Sequence, residues 1–196
     1  MNESLRMVVV LTLIAMVSAG ILSLVYGFTS VKIEENAALA LEGSVLEVLP
    51  GTSKVNVVRL NPDELGVDDP REMREREQKT TLIYQGENDQ GQLVGYAFVG
   101  EANGYSGTVR VLVGVDEQTD KILNIKVLAH TETPGLGSKI EDESFRKQFV
   151  DKSVNDPIKL GEDIDLISGA TISSRAVAEA VRRGFDDASA VYEGGK

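Results

Sequence analysis

The stretch Asp165-Leu166-Ile167-Ser168-Gly169-Ala170-Thr171-Ile172-Ser173-Ser174 carries the most legible chemistry in the chain. It stands just before the last helical pattern. A helix start offers backbone N–H groups with no intrahelical acceptor and the positive end of a dipole, which together seat a phosphate. Gly169 and Ala170 carry little side-chain bulk, so a phosphate can approach the backbone there, and Thr171 then presents a hydroxyl to it. The same residues also fit a plainer role, in which Ser173 or Ser174 caps the helix.

Two other stretches could line a ligand. His130-Thr131-Glu132-Thr133-Pro134-Gly135-Leu136-Gly137 mixes polar and apolar side chains on a backbone constrained by a proline and two glycines. Such a loop at a strand end is a ligand wall or a structural turn. His130 alone is read as structural. Gly104-Tyr105-Ser106-Gly107 reads as a turn.

The elements that must position these residues follow from periodicity. Ser173 to Tyr192 repeats Val177, Ala180, Val181, Phe185, Ala188 and Tyr192 at three- and four-residue spacings, which predicts a helix packed on a sheet with Thr171 at its entrance. Thr80–Gln85 and Leu93–Val99 read as strands joined by Gly86–Gln92. Thr108–Val115 and Lys121–Leu128 form the clearest hairpin, although Ile122, Ile125 and Val127 lose strict alternation across Asn124. The links are too short for crossover helices, so the sheet is predicted to be antiparallel. Glu141–Val150 reads as a short helix with Phe145 and Phe149 on one face, and Lys152–Leu160 as a loop or short strand.

Met7–Phe28 is uncharged and, at roughly 1.5 Å per residue, long enough to cross a hydrocarbon core of about 30 Å. Val17-Ser18-Ala19 resembles a signal-peptide cleavage site, but the apolar run continues nine residues beyond it, which favours a retained anchor. Arg6 and the amino terminus lie on the short side, so the N-terminus is expected in the cytoplasm and the main domain outside the cell (inner) membrane. Ile33–Leu49 reads as a helix with a rough stripe of Leu39, Leu41, Val45, Leu46 and Leu49, ended by Pro50-Gly51. Lys54–Gln78 reads as polar and irregular, and its Arg71–Gln78 charge run as a solvated face.

Composition narrows the function classes. The chain has 196 residues, no cysteine and one histidine, which excludes disulfides and a cysteine-held zinc or iron–sulfur centre and argues against a His-rich metal site. A net charge of -11 argues against nucleic acid and against a basic patch on anionic lipid.

Asp165-x-x-Ser168-Gly169-Ala170-Thr171 matches the flavinylation motif D-x-x-(S/T)-G-A-T at every defined position. His130-x-Glu132-Thr133-Pro134-Gly135-Leu136-Gly137 is similar to a second element of the same proteins, and the two lie about 35 residues apart in the expected order. The chain resembles the FMN-binding subunits of the Rnf and Na⁺-translocating NADH:quinone reductase (Nqr) complexes. Gly104-Tyr105-Ser106-Gly107 and Val48-Leu49-Pro50-Gly51 look like the Rnf version; the Nqr version carries a Trp in the first of these loops, and this chain has none.

The resemblance implies an α+β fold: one N-terminal transmembrane helix (residues 1–30), a juxtamembrane helix and irregular segment (31–78), and an FMN-binding domain (79–196) with a mainly antiparallel sheet packed by helices. It implies FMN joined through its phosphate to Thr171 by a flavin transferase. Ser168, Gly169, Ala170 and Ser173 are then expected around the phosphate. Thr133, Leu136 and Gly137 are expected at the ring, with Tyr105 and Glu132 in the same site and Lys139 supplying positive charge. Asp165 is expected to serve recognition by the transferase. No acid, base or nucleophile is implied for turnover. The implied role is a fixed electron carrier in a complex that moves electrons between ferredoxin and NAD⁺ and couples this to Na⁺ or H⁺ transport. Its partners would be multi-spanning membrane subunits and iron–sulfur subunits. The alternatives are an Nqr-type C subunit with quinone as terminal acceptor and a stand-alone extracytoplasmic FMN-binding domain.

Overall fold

The computed structural model describes residues 3–59, 82–153 and 155–192. The expected charge run at Arg71–Gln78 lies outside the described residues, as do the first residues of the strand expected from Thr80. The chain forms two compact units, Met1–Leu41 and Glu42–Lys196.

The first unit is helical. Helix α1 runs from Glu3 to Val48, so the helix read from Ile33 continues the helix of the apolar segment as a stalk. Its Arg6–Gly27 segment is long and apolar enough to cross a membrane, and it is unburied. By length and composition it is a candidate single-pass anchor.

The second unit is an α+β domain around a five-stranded antiparallel sheet in the order β1-β2-β3-β4-β5. The strands are β1 (Lys54–Arg59), β2 (Leu82–Glu87), β3 (Leu93–Asn103), β4 (Thr108–Asp116) and β5 (Ile122–Ala129). Strand β1 corrects the expectation of irregular chain after Lys54: it pairs with β2 from Lys54↔Glu87 to Arg59↔Leu82. The lost alternation in the hairpin has a geometric cause. The β4–β5 register slips between Arg110 and Val111 and again between Gly114 and Val115, so Leu128 and Leu123 are bulged out of the ladder.

Both faces of the sheet are covered. On one, helix α3 (Thr171–Tyr192) lays Val177, Ala180, Val181 and Phe185 over Phe98, Val111, Val113 and Val115, all in one buried cluster. Phe98 meets Phe185 edge-on, ring centroids 5.3 Å apart. On the other face the last turn of α1 buries Val45, Val48 and Leu49, and the Val48 backbone lies against Gly114. The buried stripe of this turn therefore differs from the expected one: Leu46 is exposed and Val48 takes its place. Covering both faces explains why Val111 to Val115 is buried without alternation.

The helix expected at Glu141–Val150 is divided into a 3-10 turn at Gly137–Glu141, one α turn, α2 (Glu143–Arg146), and a second 3-10 turn at Lys147–Phe149. Phe145 and Phe149 still point to the core together, centroids 5.6 Å apart.

Candidate functional site

The β3–β4 turn and the loop after β5 emerge at one end of the sheet, because Asn103↔Thr108 closes the β3–β4 ladder and Arg110↔Ala129 closes the β4–β5 ladder. Helix α3 starts at this same end. One side chain joins all three segments. Glu132, only 4% exposed, accepts the Ser106 N–H at 3.1 Å with Oε1 and the Ser173 hydroxyl at 2.5 Å with Oε2. These partners lie 26 and 41 residues away along the chain. Thr131 adds a second tie by donating its hydroxyl to the Ser106 carbonyl at 3.0 Å.

The loop's own geometry holds that carboxylate in place. His130 Nδ1 accepts the Glu132 N–H at 3.0 Å, so its ring proton sits on Nε2, which faces Glu141 Oε1 at 3.1 Å. His130 is thus structural, as the sequence suggests. Gly137 leaves room for the carboxylate: a Cβ there would lie 2.9 Å from Glu132 Oε2 and 2.9 Å from Ser173 Oγ. A Cβ on Gly104 would collide with Glu132 Oε1. Two of the motif glycines are therefore spaces filled by one buried charge.

At the start of α3, Ala170 donates its N–H to the Ile167 carbonyl at 2.9 Å, closing a turn through Gly169, whose φ of 80° is the left-handed conformation that favours glycine. Ser174 accepts the Ile167 N–H at 3.1 Å and donates to the Ala170 carbonyl at 3.0 Å. Ser173 and Ser174 stand inside the first turn of the helix, which begins at Thr171. Neither is an N-cap; Ser174 instead fastens the preceding turn. Gln148 fixes the start of the motif by accepting the Asp165 N–H at 2.6 Å.

Thr171 is exposed, and among the described residues its hydroxyl has no hydrogen-bond partner. Its N–H and that of Ile172 are the first of the helix and have no intrahelical acceptor. Ser168 and Gly169 are exposed beside it, while Ala170 is buried. The hydroxyl of Ser173, expected at a phosphate, is buried and committed to Glu132, which leaves its backbone N–H for an anion. Glu132 likewise has both oxygens engaged within the protein.

Leu136 reaches the motif: its Cδ1 lies 3.0 Å from the position of a Cβ on Gly169. Thr133 is exposed in the same loop, and its carbonyl accepts the Leu136 and Ser138 N–H groups at 3.2 Å each. The three segments also expose Tyr105 (70%), Leu136 (42%), Leu166 (51%) and Ile172 (47%). These apolar surfaces, a free hydroxyl and unpaired N–H groups fit a flat aromatic ligand carrying a phosphate. Lys139 is exposed in the 3-10 turn after the loop, and among the described residues no contact ties it to the motif. Ser106, Gln148 and Ser174 were not foreseen as site residues; each acts through tertiary contacts that leave no local pattern.

Fold and site together define an α+β domain that presents a helix start and an apolar surface to a ligand, preceded by a candidate membrane helix. A family model described as "FMN-binding domain" matches residues 104–186, which span all three segments. The G subunit of the ion-translocating oxidoreductase complex of Methanosarcina acetivorans is 32% identical over 191 residues, 96% of each chain. The G subunit of a proton-translocating ferredoxin:NAD(+) oxidoreductase complex from Clostridium ljungdahlii is 34% identical over 109 residues, 53% of this chain and 57% of that one. The crystal structure of Shewanella oneidensis NqrC shares the fold, with a TM-score of 0.61 at 19% identity over 78% of this chain and 95% of that one. The chain belongs to the family of G subunits of ion-translocating oxidoreductase (Rnf) complexes.

Proposed function

We propose that this chain is a covalently flavinylated electron carrier of an Rnf-type complex, with FMN held as a phosphoester on Thr171. The observation that carries the reading is the unpartnered Thr171 hydroxyl at a helix start, on a platform that Glu132 assembles from three separate segments. Ser168, Gly169 and Ala170 shape the approach to it, and the first N–H groups of α3, including that of Ser173, neutralise the phosphate. Thr133 and Leu136, beside the buried Gly137, form the wall for the ring, with Tyr105 as a neighbour. Glu132 acts behind that wall as its fastener. Lys139 adds positive charge on the loop's flank, and Asp165 presents the motif to the transferase.

Attachment requires an activated donor, because direct condensation of Thr171 with FMN would have to expel water. A flavin dinucleotide meets this need: Thr171 Oγ1 bonds to phosphorus, the anhydride P–O bond breaks, and the second nucleoside monophosphate leaves. The Thr171 proton passes to a base of the transferase. Bound FMN supplies one- and two-electron redox chemistry, while the protein supplies position and electrostatics.

The complex so served passes electrons between ferredoxin and NAD⁺ and couples this to Na⁺ or H⁺ movement. Its multi-spanning and iron–sulfur subunits are the partners. The apolar stretch Met7–Phe28 is uncharged and provides no ion path of its own. Arg6 on the short side supports a cytoplasmic N-terminus and an extracytoplasmic flavin domain at the cell (inner) membrane. The test is co-expression with a flavin transferase and in-gel fluorescence of the denatured protein. A fluorescent wild-type band that is lost in Thr171→Ala supports the reading; a dark wild-type band, with the transferase active on another substrate, refutes it.

A further inference from the structure

Helix α3 carries a second feature on the face that bears Thr171. Residues 171, 175, 178 and 182 follow at helical spacings, so Arg175, Ala178 and Arg182 continue the stripe that Thr171 begins. The stripe spans about 16 Å from Thr171 to Arg182. Against it lies the segment Ile158–Leu160, and between them is a groove of about 410 Å³. Ile158, Leu160 and Ala178 give the groove its apolar floor and Arg175 and Arg182 its cationic rim, while Lys159, also on the rim, is paired with Glu162. A neighbouring cavity of about 250 Å³ shares Ile158 and Arg182 and is bordered by Asp156 and Asp186. The groove therefore ends at Arg182, beyond which the neighbouring cavity is acidic.

Charge makes this place unusual in the chain. The protein has a net charge of -11, yet the exposed Arg175 and Arg182 form no ion pair among the described residues. Glu179, the one acid on the groove, is paired with Arg183 at 3.5 Å. The wall is also built rigidly. Ile158 holds φ at 43°, a conformation that a β-branched residue rarely adopts. Asp163 fixes it by accepting the N–H groups of Ile158 at 3.1 Å and Lys159 at 2.7 Å, and Lys152 braces Asp163 at 3.0 Å. Backbone strain retained in this way concentrates at functional sites.

The geometry points to a docking groove for the enzyme that flavinylates Thr171, with a carboxylate-bearing segment of that enzyme seated between Arg175 and Arg182. The inference rests on the assignment of Thr171 as the flavin acceptor. An enzyme acting on the Thr171 hydroxyl must cover the first turn of α3, and the groove opens one turn further along the same face. Its unpaired cations complement an acidic partner.

The test is steady-state flavinylation of the full-length protein in detergent by purified transferase, with the protein as varied substrate. Arg175→Glu/Arg182→Glu is compared with wild type, with Arg175→Ala/Arg182→Ala, and with Arg183→Glu as a control outside the groove. Circular dichroism melts confirm that each variant is folded. Docking predicts that KM for the protein rises about tenfold or more in the charge-reversed variant and less in the alanine variant, with kcat within about twofold of wild type. It also predicts that raising the salt increases KM for wild type and leaves the charge-reversed variant nearly flat. An unchanged KM in a folded variant, or a fall in kcat at constant KM, overturns the groove while leaving Thr171 as acceptor. A wild-type protein that takes no flavin overturns the assignment of Thr171 itself.

Discussion

Replacing Glu132 by alanine removes the one side chain that joins the Gly104–Gly107 turn, the His130–Gly137 loop and the start of α3. Two hydrogen bonds to a charged acceptor are lost, from Ser106 N–H and from the Ser173 hydroxyl. Bonds of this kind are worth about 1.5–3 kcal/mol each. The lower end applies, because deleting a carboxylate that is 4% exposed also relieves its own desolvation cost. The expected loss is about 3 kcal/mol, or a fall in Tm of about 6–12 °C at roughly 2–4 °C per kcal/mol. Glu132→Gln separates the charge from the shape. A glutamine oxygen still accepts the Ser106 N–H, and its amide donates to Ser173 Oγ once that hydroxyl turns its proton away. Its cost should be about 1 kcal/mol, a fall of roughly 2–4 °C. Thermal melts of the full chain in detergent, followed by circular dichroism, read both variants. If Glu132→Ala melted with wild type, or if Glu132→Gln fell as far as Glu132→Ala, the carboxylate would not be the fastener of the site.

Three further predictions follow from the same geometry. Gly169→Ala forces a Cβ into a left-handed turn 3.0 Å from Leu136 Cδ1; it should cost about 1–2 kcal/mol in denaturant unfolding and slow flavin attachment, and a normal rate would contradict the role of that turn. Ser174→Ala deletes an acceptor for Ile167 N–H and a donor to the Ala170 carbonyl at a fully buried position; a loss of about 1–2 kcal/mol is expected, and urea midpoints check it. Burial pushes the Asp163 carboxyl up, but the Lys159 N–H, the Lys152 ammonium and the Ile158 N–H outweigh it and hold the group below its ordinary value of 3.8. A depressed folded value means that this stabilisation is complete above about 3.8 and is lost as the pH falls through the folded value. Asp163→Asn should therefore cost about 1–3 kcal/mol at neutral pH, and the gap from wild type should narrow below pH ~4; a gap independent of pH would contradict the assignment.

Local periodicity made much of this molecule legible. The spacing of Val177, Ala180, Val181, Phe185 and Ala188 marked the buried face of α3, and each of these residues is buried. Val109, Val111, Val113 and Val115 marked the core face of β4 equally well. The β5 register was hidden because two bulges break the alternation that periodicity relies on. Strand β1 was hidden because Lys54–Arg59 is short, its valines Val55, Val57 and Val58 break strict alternation, and its identity comes from pairing with β2, across a long intervening stretch. The site motifs could be found from spacing and resemblance, but their assembly could not. Glu132 reads as one polar residue of a loop until the fold brings Ser106 and Ser173 to its two oxygens. The same contact turns the Ser173 hydroxyl away from the phosphate that its position in the motif suggests.

The covalent site itself is most directly tested by mass spectrometry of the tryptic peptide Leu160–Arg175, which contains Thr171. The protein should be produced together with an active flavin transferase. The account predicts a peptide heavier by one FMN less one water, with fragmentation placing the addition on Thr171 and no addition in Thr171→Ala. An unmodified peptide from the wild type, or an addition that persists in Thr171→Ala, would contradict it.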